Sequence, residues 1–302
     1  MKVTRLDLDG TGSPFGLVTK ILKIESDLKI PVPIDELAQQ LDIQRIEEFE
    51  TEGFEGGLLT DEGRSTGIIL VNKSARGGRR RFTIGHELAH FLILSHAPVE
   101  PGKFLCSRAD MQRWDVNQND RYKRMEAEAN KFSALILMPP PALRKFIEAK
   151  RNPDIAHALE TANHFDVSKE AGARAYAEYH DELVAIVVVN ENKVLRVHKH
   201  RNFPRMSVKR LDEVPSGSYL RRAKSHELRK PSNVVETLAG IWLDVEYGKP
   251  APALFEQIYI QASGFALIML WAEPADEDEY DRDEDRTSKQ RLQDRLSRHD
   301  RR

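Results

Sequence analysis

The chain contains a single cysteine, Cys106, and this scarcity excludes several classes of protein. One cysteine forms no intramolecular disulfide and no metal site built from cysteines alone. A lone thiol is typical of a reducing compartment, where disulfides do not persist. The sequence therefore does not predict a small secreted domain that is held together by disulfides.

Long apolar segments are also missing. The longest runs, IVVV at 186–189 and FALIMLWA at 265–272, are much shorter than the ~20 residues of a membrane-spanning helix. The opening stretch MKVTRLDLDGTGSPFG lacks the apolar region of a secretory signal. We therefore expect a cytoplasmic protein without a membrane segment.

An excess of charge of one sign is absent as well. The net charge of −2 gives no electrostatic argument for tight binding to nucleic acid. Hydrophobic residues make up 40% of the chain and charged residues 31%, which leaves ample apolar material for a folded core. At 302 residues the chain has room for two or three domains of ~100–200 residues each.

The hydrophobic periodicity predicts a largely helical first part, with three strands inserted after its second helix. The predicted helices cover 14–28, 33–43, 79–96, 122–138, 142–150, 153–164 and 168–180. The predicted strands cover 45–51, 54–61 and 65–73, and the polar segment 95–121 is predicted to be irregular. After residue 183 the pattern favours hairpins at 183–200 and 255–273, with a helix near 233–245 between them.

The stretch RRRFTIGHELAHFLILSH carries the first residues that indicate chemistry. On a helix, His86 and His90 lie one turn apart on the same face, so both imidazoles can bind one metal ion. Glu87 is one position round the helix, where it is better placed to accept a proton from a water on the metal than to bind the metal. Two histidines bonded locally on an amphipathic helix are the alternative. The apolar neighbours of these groups favour the metal site, because buried polar groups need partners.

A catalytic zinc site needs a third protein ligand and an open position for water. The predicted helix 122–138 offers Glu126 and Glu128, which lie ~200° apart round the helix, so that only one of them faces the metal. We favour Glu126, because Asn130 shares its face and can orient a histidine ligand. Glu128 is then interpreted as a surface charge. For the oxyanion of the reaction, Tyr122, His96 and Arg121 are candidates among which spacing does not select.

These two segments together resemble the ImmA/IrrE metallopeptidases. The similarity rests on HELAH at 86–90 and on E-x-x-A-N-x-F-x-A-x-x-L-M-P from Glu126 onward. It covers roughly residues 15–145 and, more loosely, the helices up to residue 180. Ser133 departs mildly from the pattern, since alanine is common at this position. The resemblance implies a thermolysin-like arrangement with His86, His90 and Glu126 as zinc ligands and Glu87 as the catalytic glutamate. It also implies a protein substrate, a helix-turn-helix repressor that is cleaved in a stress or mobile-element response.

The predicted fold class is α+β. We expect a mainly helical, thermolysin-like metallopeptidase domain with a small antiparallel sheet over 1–147, and a helix-turn-helix-like segment over 148–182. A C-terminal domain of mixed sheet and helix follows over 183–272. Some members of the family carry a GAF-like sensor domain in this position, and this resemblance implies a regulatory role for it. The acidic and basic blocks of 273–302 predict a disordered, charged tail.

Three further features have weaker interpretations. The helices around the turn FDVS, with Ser168 as the N-cap, have the outline of a DNA-binding pair, but a structural or docking role is favoured because Lys169 and Arg174 provide few phosphate contacts. His198 and His200 alternate on a strand and permit a second metal site, although a solvated strand face is favoured. Cys106 is either a redox-sensitive thiol or incidental.

The main functional hypothesis is therefore a zinc-dependent endopeptidase that acts on a protein. Zn²⁺ is preferred to Mn²⁺ on ligand type. The alternative is a regulatory protein that binds DNA or a partner and holds its metal in a structural or inactive site. Direct DNA binding is not favoured.

Overall fold

A computed structural model describes residues 1–98, 100–112, 120–222, 229–245, 250–262 and 264–273 of the chain. The chain forms two compact units. The first comprises Met1–Arg151 and Ala156–Tyr179, and the second comprises Asn152–Ile155 and the described part of His180–Arg302. The domain borders predicted at 147, 182 and 272 stay a prediction.

The first unit begins with three helices, α1 (Arg5–Leu8), α2 (Pro14–Ile24) and α3 (Ile34–Gln40). Helix α2 starts where the sequence predicts, because the Ser13 side chain accepts a hydrogen bond from the Gly16 amide and Pro14 occupies the first turn. It ends at Ile24, four residues before the predicted end. Its buried face contributes Leu17 and Ile21 to the core of this unit.

A four-stranded sheet follows, made of β1 (Ile43–Phe49), β2 (Phe54–Thr60), β3 (Gly67–Asn72) and β4 (Lys103–Ser107). The strand order is β1-β3-β2-β4, so that β4 is an edge strand. The prediction of a purely antiparallel sheet is wrong, because β1 pairs parallel to β3. The chain reverses at each of the two connections between β1 and β3, and the first and third strands therefore run in the same direction when they become neighbours.

The long helices of the first unit are α4 (Gly78–Leu92) and α5 (Arg121–Leu137), followed by α6 (Pro140–Glu148). Helix α4 packs against α5 on one side and against β2 and β3 on the other. The Asp120 side chain caps α5 by accepting a hydrogen bond from the Lys123 amide. With apolar neighbours on both sides, most of α4 after Phe82 is buried.

Two shorter helices, α7 (Ile155–Phe165) and α8 (Lys169–Tyr179), form the predicted helical pair. Ser168 caps α8 as predicted, since its hydroxyl accepts a hydrogen bond from the Ala171 amide at 3.1 Å. The two helices approach closely at Gly172, where a Cβ atom would lie 2.5 Å from the Ala162 nitrogen. A tight α7–α8 pair of this kind needs glycine at that position.

The second unit is built on a five-stranded sheet. Its elements are β5 (Leu183–Asn190), β6 (Lys193–Lys199), α9 (Tyr219–Arg222), β7 (Val235–Thr237), β8 (Ala253–Ile260) and β9 (Phe265–Glu273). The strand order is β6-β5-β9-β8-β7, with antiparallel pairing throughout. Both predicted hairpins are present. The helix predicted near 233–245 is wrong, because β7 pairs with β8 and only a 3₁₀ turn, Ala239–Ile241, follows it.

The fold class is α+β, as predicted. The thermolysin-like arrangement and the GAF-like character of the C-terminal domain stay predictions. All of the predicted tail except Glu273 lies outside the described residues. Within the described part of the chain, no helix is both long and apolar enough to cross a membrane.

Candidate metal centre

Helix α4 holds the three residues of the H-E-x-x-H motif at its buried end. His86 and His90 are fully buried, and their Nε2 atoms lie 3.0 Å apart. This separation follows from the helix, because residues four apart lie one above the other. The two imidazoles therefore converge on one point, as the spacing predicts.

Glu126 reaches the same point from α5. Its Oε2 atom lies 3.2 Å from His86 Nε2, and its Oε1 atom lies 3.6 Å from His90 Nε2. The structure thus brings together all three predicted ligands, His86, His90 and Glu126. Their roles as metal ligands stay predictions.

The two helices come this close because a small residue faces a hydroxyl at their contact. A Cβ atom on Gly85 would lie only 2.6 Å from Ser133 Oγ, so a larger side chain there would push the helices apart. Ser133 is itself buried and donates a hydrogen bond to the Phe82 carbonyl at 2.8 Å. The departure from alanine at this position therefore adds a bond between α4 and α5.

Asn130 fixes the orientation of His86, as predicted. Its amide nitrogen donates to the Asp110 carbonyl at 2.8 Å, which leaves its Oδ1 atom facing His86 Nδ1 at 2.9 Å. Because Oδ1 only accepts, His86 must carry its proton on Nδ1. Its Nε2 atom is then the nitrogen with a free lone pair, the form that binds a metal.

His90 is oriented by a chain of two further residues. Glu128 Oε2 lies 3.1 Å from His96 Nε2, and His96 Nδ1 lies 3.0 Å from His90 Nδ1. The carboxylate accepts from His96, whose other nitrogen can then accept from His90 Nδ1. This leaves His90 Nε2 to face the cluster. The interpretation of Glu128 as a surface charge is therefore wrong, because it is half-buried and bonded to His96.

Arg64 holds the segment that carries His96. Its guanidinium donates to the carbonyls of His90 and Ile93, at 2.8 and 2.9 Å, and to the carbonyl of His96. A buried cation at the last turn of α4 also complements the negative end of the helix dipole. No local sequence pattern predicts this contact, because Arg64 lies in a turn remote from the motif.

Cys106 joins the cluster from β4. Its Sγ atom lies 3.6 Å from His90 Nε2, and the donor atoms of His86, His90, Cys106 and Glu126 all lie within 4.8 Å of one another. The prediction of an irregular segment at 95–121 missed β4. The alternation of buried Phe104 and Cys106 with exposed Lys103 and Leu105 was the available signal.

Glu87 is fully buried beside these donors. Neither of its carboxylate oxygens has a hydrogen-bond partner among the described residues. Strand β2 passes directly over it at Gly56, where a Cβ atom would lie 2.9 Å from Glu87 Oε1 and 2.3 Å from Thr83 Cγ2. Burial raises the pKa of Glu87 to about 8; His86 opposes this shift and Glu126 adds to it.

The pKa shifts of the neighbouring groups favour the binding of a cation. Burial lowers the pKa of His90 to about 4 and that of His96 to about 2, which keeps both rings neutral. Burial also acts on Glu126 and His86, but their mutual hydrogen bond prevails and lowers the pKa of Glu126 while it raises that of His86.

The three oxyanion candidates have different surroundings. Both ring nitrogens of His96 face the partners described above, and Arg121 donates to the Ser95 carbonyl at 3.3 Å from an exposed position. Burial raises the pKa of Tyr122, and Glu126 and Asp110 raise it further. The Tyr122 hydroxyl is therefore within electrostatic reach of the Glu126 carboxylate.

The cluster fits a divalent metal ion. Ligand lengths of ~2.0–2.3 Å in a tetrahedral arrangement place pairs of donor atoms ~3.3–3.6 Å apart. Four separations lie close to this range: His90 Nε2 is 3.0 to 3.6 Å from a donor atom of each of the other three residues, and His86 Nε2 is 3.2 Å from Glu126. All four donor atoms lie within 4.8 Å of one another. Among the described residues, neither His198 nor His200 belongs to such a group of donors.

Comparison with known proteins agrees with this site. Residues 38–176, which include the motif and Glu126, match the family described as the IrrE N-terminal-like domain. The chain is 29% identical over 112 residues to the "Radiation response metalloprotease IrrE" of Deinococcus radiodurans. That match covers 37% of this chain and 31% of the relative, so the chain spans about a third of the relative's length.

A solved structure named "Mycobacterium tuberculosis transcriptional regulator" is similar over 84% of this chain and 86% of its own length. The TM-score is 0.49 and the sequence identity 12%. The family and relative matches confirm the resemblance to the ImmA/IrrE family, whose model covers residues 38–176 of this chain.

Proposed function

We propose that this chain is a zinc-dependent endopeptidase that cleaves a helix-turn-helix repressor in the cytoplasm and so relieves repression. The observation that carries the enzymatic part is Glu87. It is buried next to the donor cluster, and both of its oxygens lack a hydrogen-bond partner among the described residues. An unsatisfied buried polar group costs about 1–3 kcal/mol, and a catalytic role or a bound ion is among the reasons for which such groups are retained.

The donor set supports zinc as the metal. Two imidazoles and one carboxylate suit zinc, whereas magnesium and calcium prefer sites made of oxygen alone. The hydrogen bonds of Asn130 and His96 hold the two rings with Nε2 facing the cluster. A zinc ion in this site supplies a Lewis acid that polarises a peptide carbonyl and lowers the pKa of water.

The role of Glu87 in peptide hydrolysis is to move a proton. In its ionised form, which a nearby cation favours, its carboxylate accepts the proton of the attacking water and delivers it to the nitrogen of the leaving amine. No hydrogen bond inside the described protein competes for its oxygens. The dry surroundings strengthen each electrostatic interaction during the reaction.

A protein substrate is supported by the position of β4. This strand lies at the edge of the sheet, and its residue Cys106 is part of the donor cluster. An extended peptide can add to such an edge by backbone hydrogen bonds. The repressor as the particular substrate rests on the family resemblance alone.

The test is incubation of the zinc-loaded protein with a helix-turn-helix protein encoded beside it. Glu87→Gln should abolish cleavage while retaining bound zinc, because Glu87 is not among the ligands. Electrophoresis follows cleavage, and metal analysis of the same sample supplies the control. Equal cleavage by the variant and the wild-type protein would refute the proposal.

A second candidate function is favoured by one observation. Cys106 gives the cluster four protein donors, and sites closed by four protein donors are typical of structural zinc. In that case the protein acts as a regulator that binds DNA or a partner. Arg174 of α8 is largely buried and pairs with Glu178, which weakens the case for phosphate contacts by this helix. Specific, chelator-sensitive DNA binding by Glu87→Gln in a gel-shift assay would support this second function.

A further inference from the structure

Cys106 has no role in the reaction described above, yet the fold places it in the metal site. It is the only cysteine of the chain, it is buried, and its Sγ atom lies 3.6 Å from His90 Nε2. A thiolate bound to zinc at ~2.3 Å would lie ~3.6 Å from an imidazole nitrogen in a tetrahedral site. The observed distance matches the one expected for two donors to the same ion.

The backbone fixes Cys106 in this place. In the antiparallel pairing of β2 with β4, Cys106 lies opposite Gly56, the residue over Glu87. The neighbouring inward residue on β4, Phe104, stacks on the His90 ring with centroids 4.9 Å apart. The register of the sheet thus directs the thiol to the ligands on α4.

The surroundings of Glu87 independently indicate that a ligand binds beside these donor atoms. It is fully buried and without a hydrogen-bond partner among the described residues. It interacts electrostatically with the Cys106 thiol, which is its neighbour in the cluster. Burial raises the pKa of the thiol, and the carboxylates of Glu87 and Glu126 raise it further. A bound zinc ion reverses this tendency, since a coordinating thiol is deprotonated.

We infer that Cys106 is the fourth protein donor to the metal and takes the position that a catalytic water needs. The resting site is then closed by His86, His90, Glu126 and Cys106. Cleavage requires that Sγ withdraw from this position. The second half of the inference, that Cys106 restrains cleavage, rests on the proposed function.

X-ray absorption at the zinc edge of the wild-type protein tests the donor. We expect one sulfur neighbour at ~2.3 Å beside nitrogen and oxygen neighbours at ~2.0–2.1 Å. Cys106 is the only cysteine of the chain, so the other possible sulfur donors are methionines. If the sulfur signal is lost in the Cys106→Ala spectrum, the donor is Cys106 and not a methionine. A wild-type spectrum with nitrogen and oxygen alone would overturn the inference, whether or not the variant folds.

The restraint is tested with Cys106→Ala and Cys106→Ser. Both should bind zinc more weakly than the wild-type protein, by at least the roughly 10-fold that loss of a residue outside the ligand set costs. Both should cleave the repressor faster than the wild-type protein once saturated with zinc. Slower cleavage by both folded variants would overturn the restraint.

The inference and the proposed function fail in different ways. A spectrum without sulfur, together with cleavage that depends on Glu87, removes Cys106 as donor and keeps the endopeptidase. A sulfur neighbour together with no cleavage by any variant keeps Cys106 as donor, removes the restraint, and refutes the proposed function in favour of a structural metal site.

Discussion

Two glutamates of this protein are equally buried and differently bonded. Glu87 of the first unit and Glu256 of the second are both 0% exposed. Glu256 accepts hydrogen bonds from Ser218 Oγ at 2.5 Å, from the Tyr219 amide at 3.0 Å and from Trp242 Nε1 at 3.1 Å. Glu87 has no partner for either oxygen within the described chain.

The difference separates a structural carboxylate from one that is kept for a reaction. The donors around Glu256 replace the hydration that its carboxylate loses on burial, so this residue can hold α9 and the Trp242 ring against β8. Glu87 receives no such replacement, and its burial therefore opposes folding. We expect removal of Glu256 to affect stability and removal of the site carboxylates to affect metal binding or cleavage.

The largest expected effect concerns Glu126. Glu126→Ala removes a ligand, so the zinc content after dialysis should fall from about one ion per chain to none. Glu128→Ala is the matched control on the same helix; it disturbs only the orientation of His96 and His90 and should retain zinc at saturation, with an affinity lower by ~10-fold or more. Metal analysis of both variants checks this. Loss of zinc from Glu128→Ala alone would reassign the third ligand.

The next effect concerns Glu256. Glu256→Gln introduces an amide group where three donors converge, and at least one donor loses its acceptor. The free energy of unfolding should fall by about 2–3 kcal/mol, whereas the zinc content should remain that of the wild-type protein. Urea unfolding and metal analysis test the two statements. If the free energy of unfolding of Glu256→Gln equals that of the wild-type protein, Glu256 is not a structural residue and its contrast with Glu87 is refuted.

A smaller effect is expected at Gly56, which provides the space above Glu87. A methyl group in Gly56→Ala would overlap with Thr83 and approach Glu87 Oε1, and overpacking of this kind costs about 1–3 kcal/mol. Cleavage should fall as Glu87 is displaced. Gly63→Ala is the control, because its Cβ atom would meet only Asp61 Oδ1, at 3.9 Å, and it should change neither stability nor cleavage.

Local patterns were sufficient to predict much of this molecule. Helical spacing located His86, Glu87 and His90 on one element, and the face shared by Glu126 and Asn130 identified the second helix. The hairpins of the second unit followed from alternation and turn residues. Each of these features depends on residues close together in the sequence.

The features that were missed depend on long-range pairing. β4 is a short strand in a polar segment, and Cys106 reaches the metal site only through its register opposite Gly56. The parallel pairing of β1 with β3 and the bonding of Glu256 to Trp242 likewise join elements that are separated in sequence. The periodicity of hydrophobic residues within one segment does not predict such long-range contacts.

The most direct measurement is the free energy of unfolding of zinc-saturated Glu87→Gln, followed by circular dichroism in urea beside the wild-type protein. Because the Glu87 carboxylate has no hydrogen-bond partner among the described residues, its replacement by an amide removes no bond that contributes to the free energy of unfolding. The account predicts a stability within about 1 kcal/mol of wild type, or higher, together with complete loss of cleavage. A loss of about 2 kcal/mol or more, comparable to that of Glu256→Gln, would show that Glu87 is a structural residue and would contradict the account.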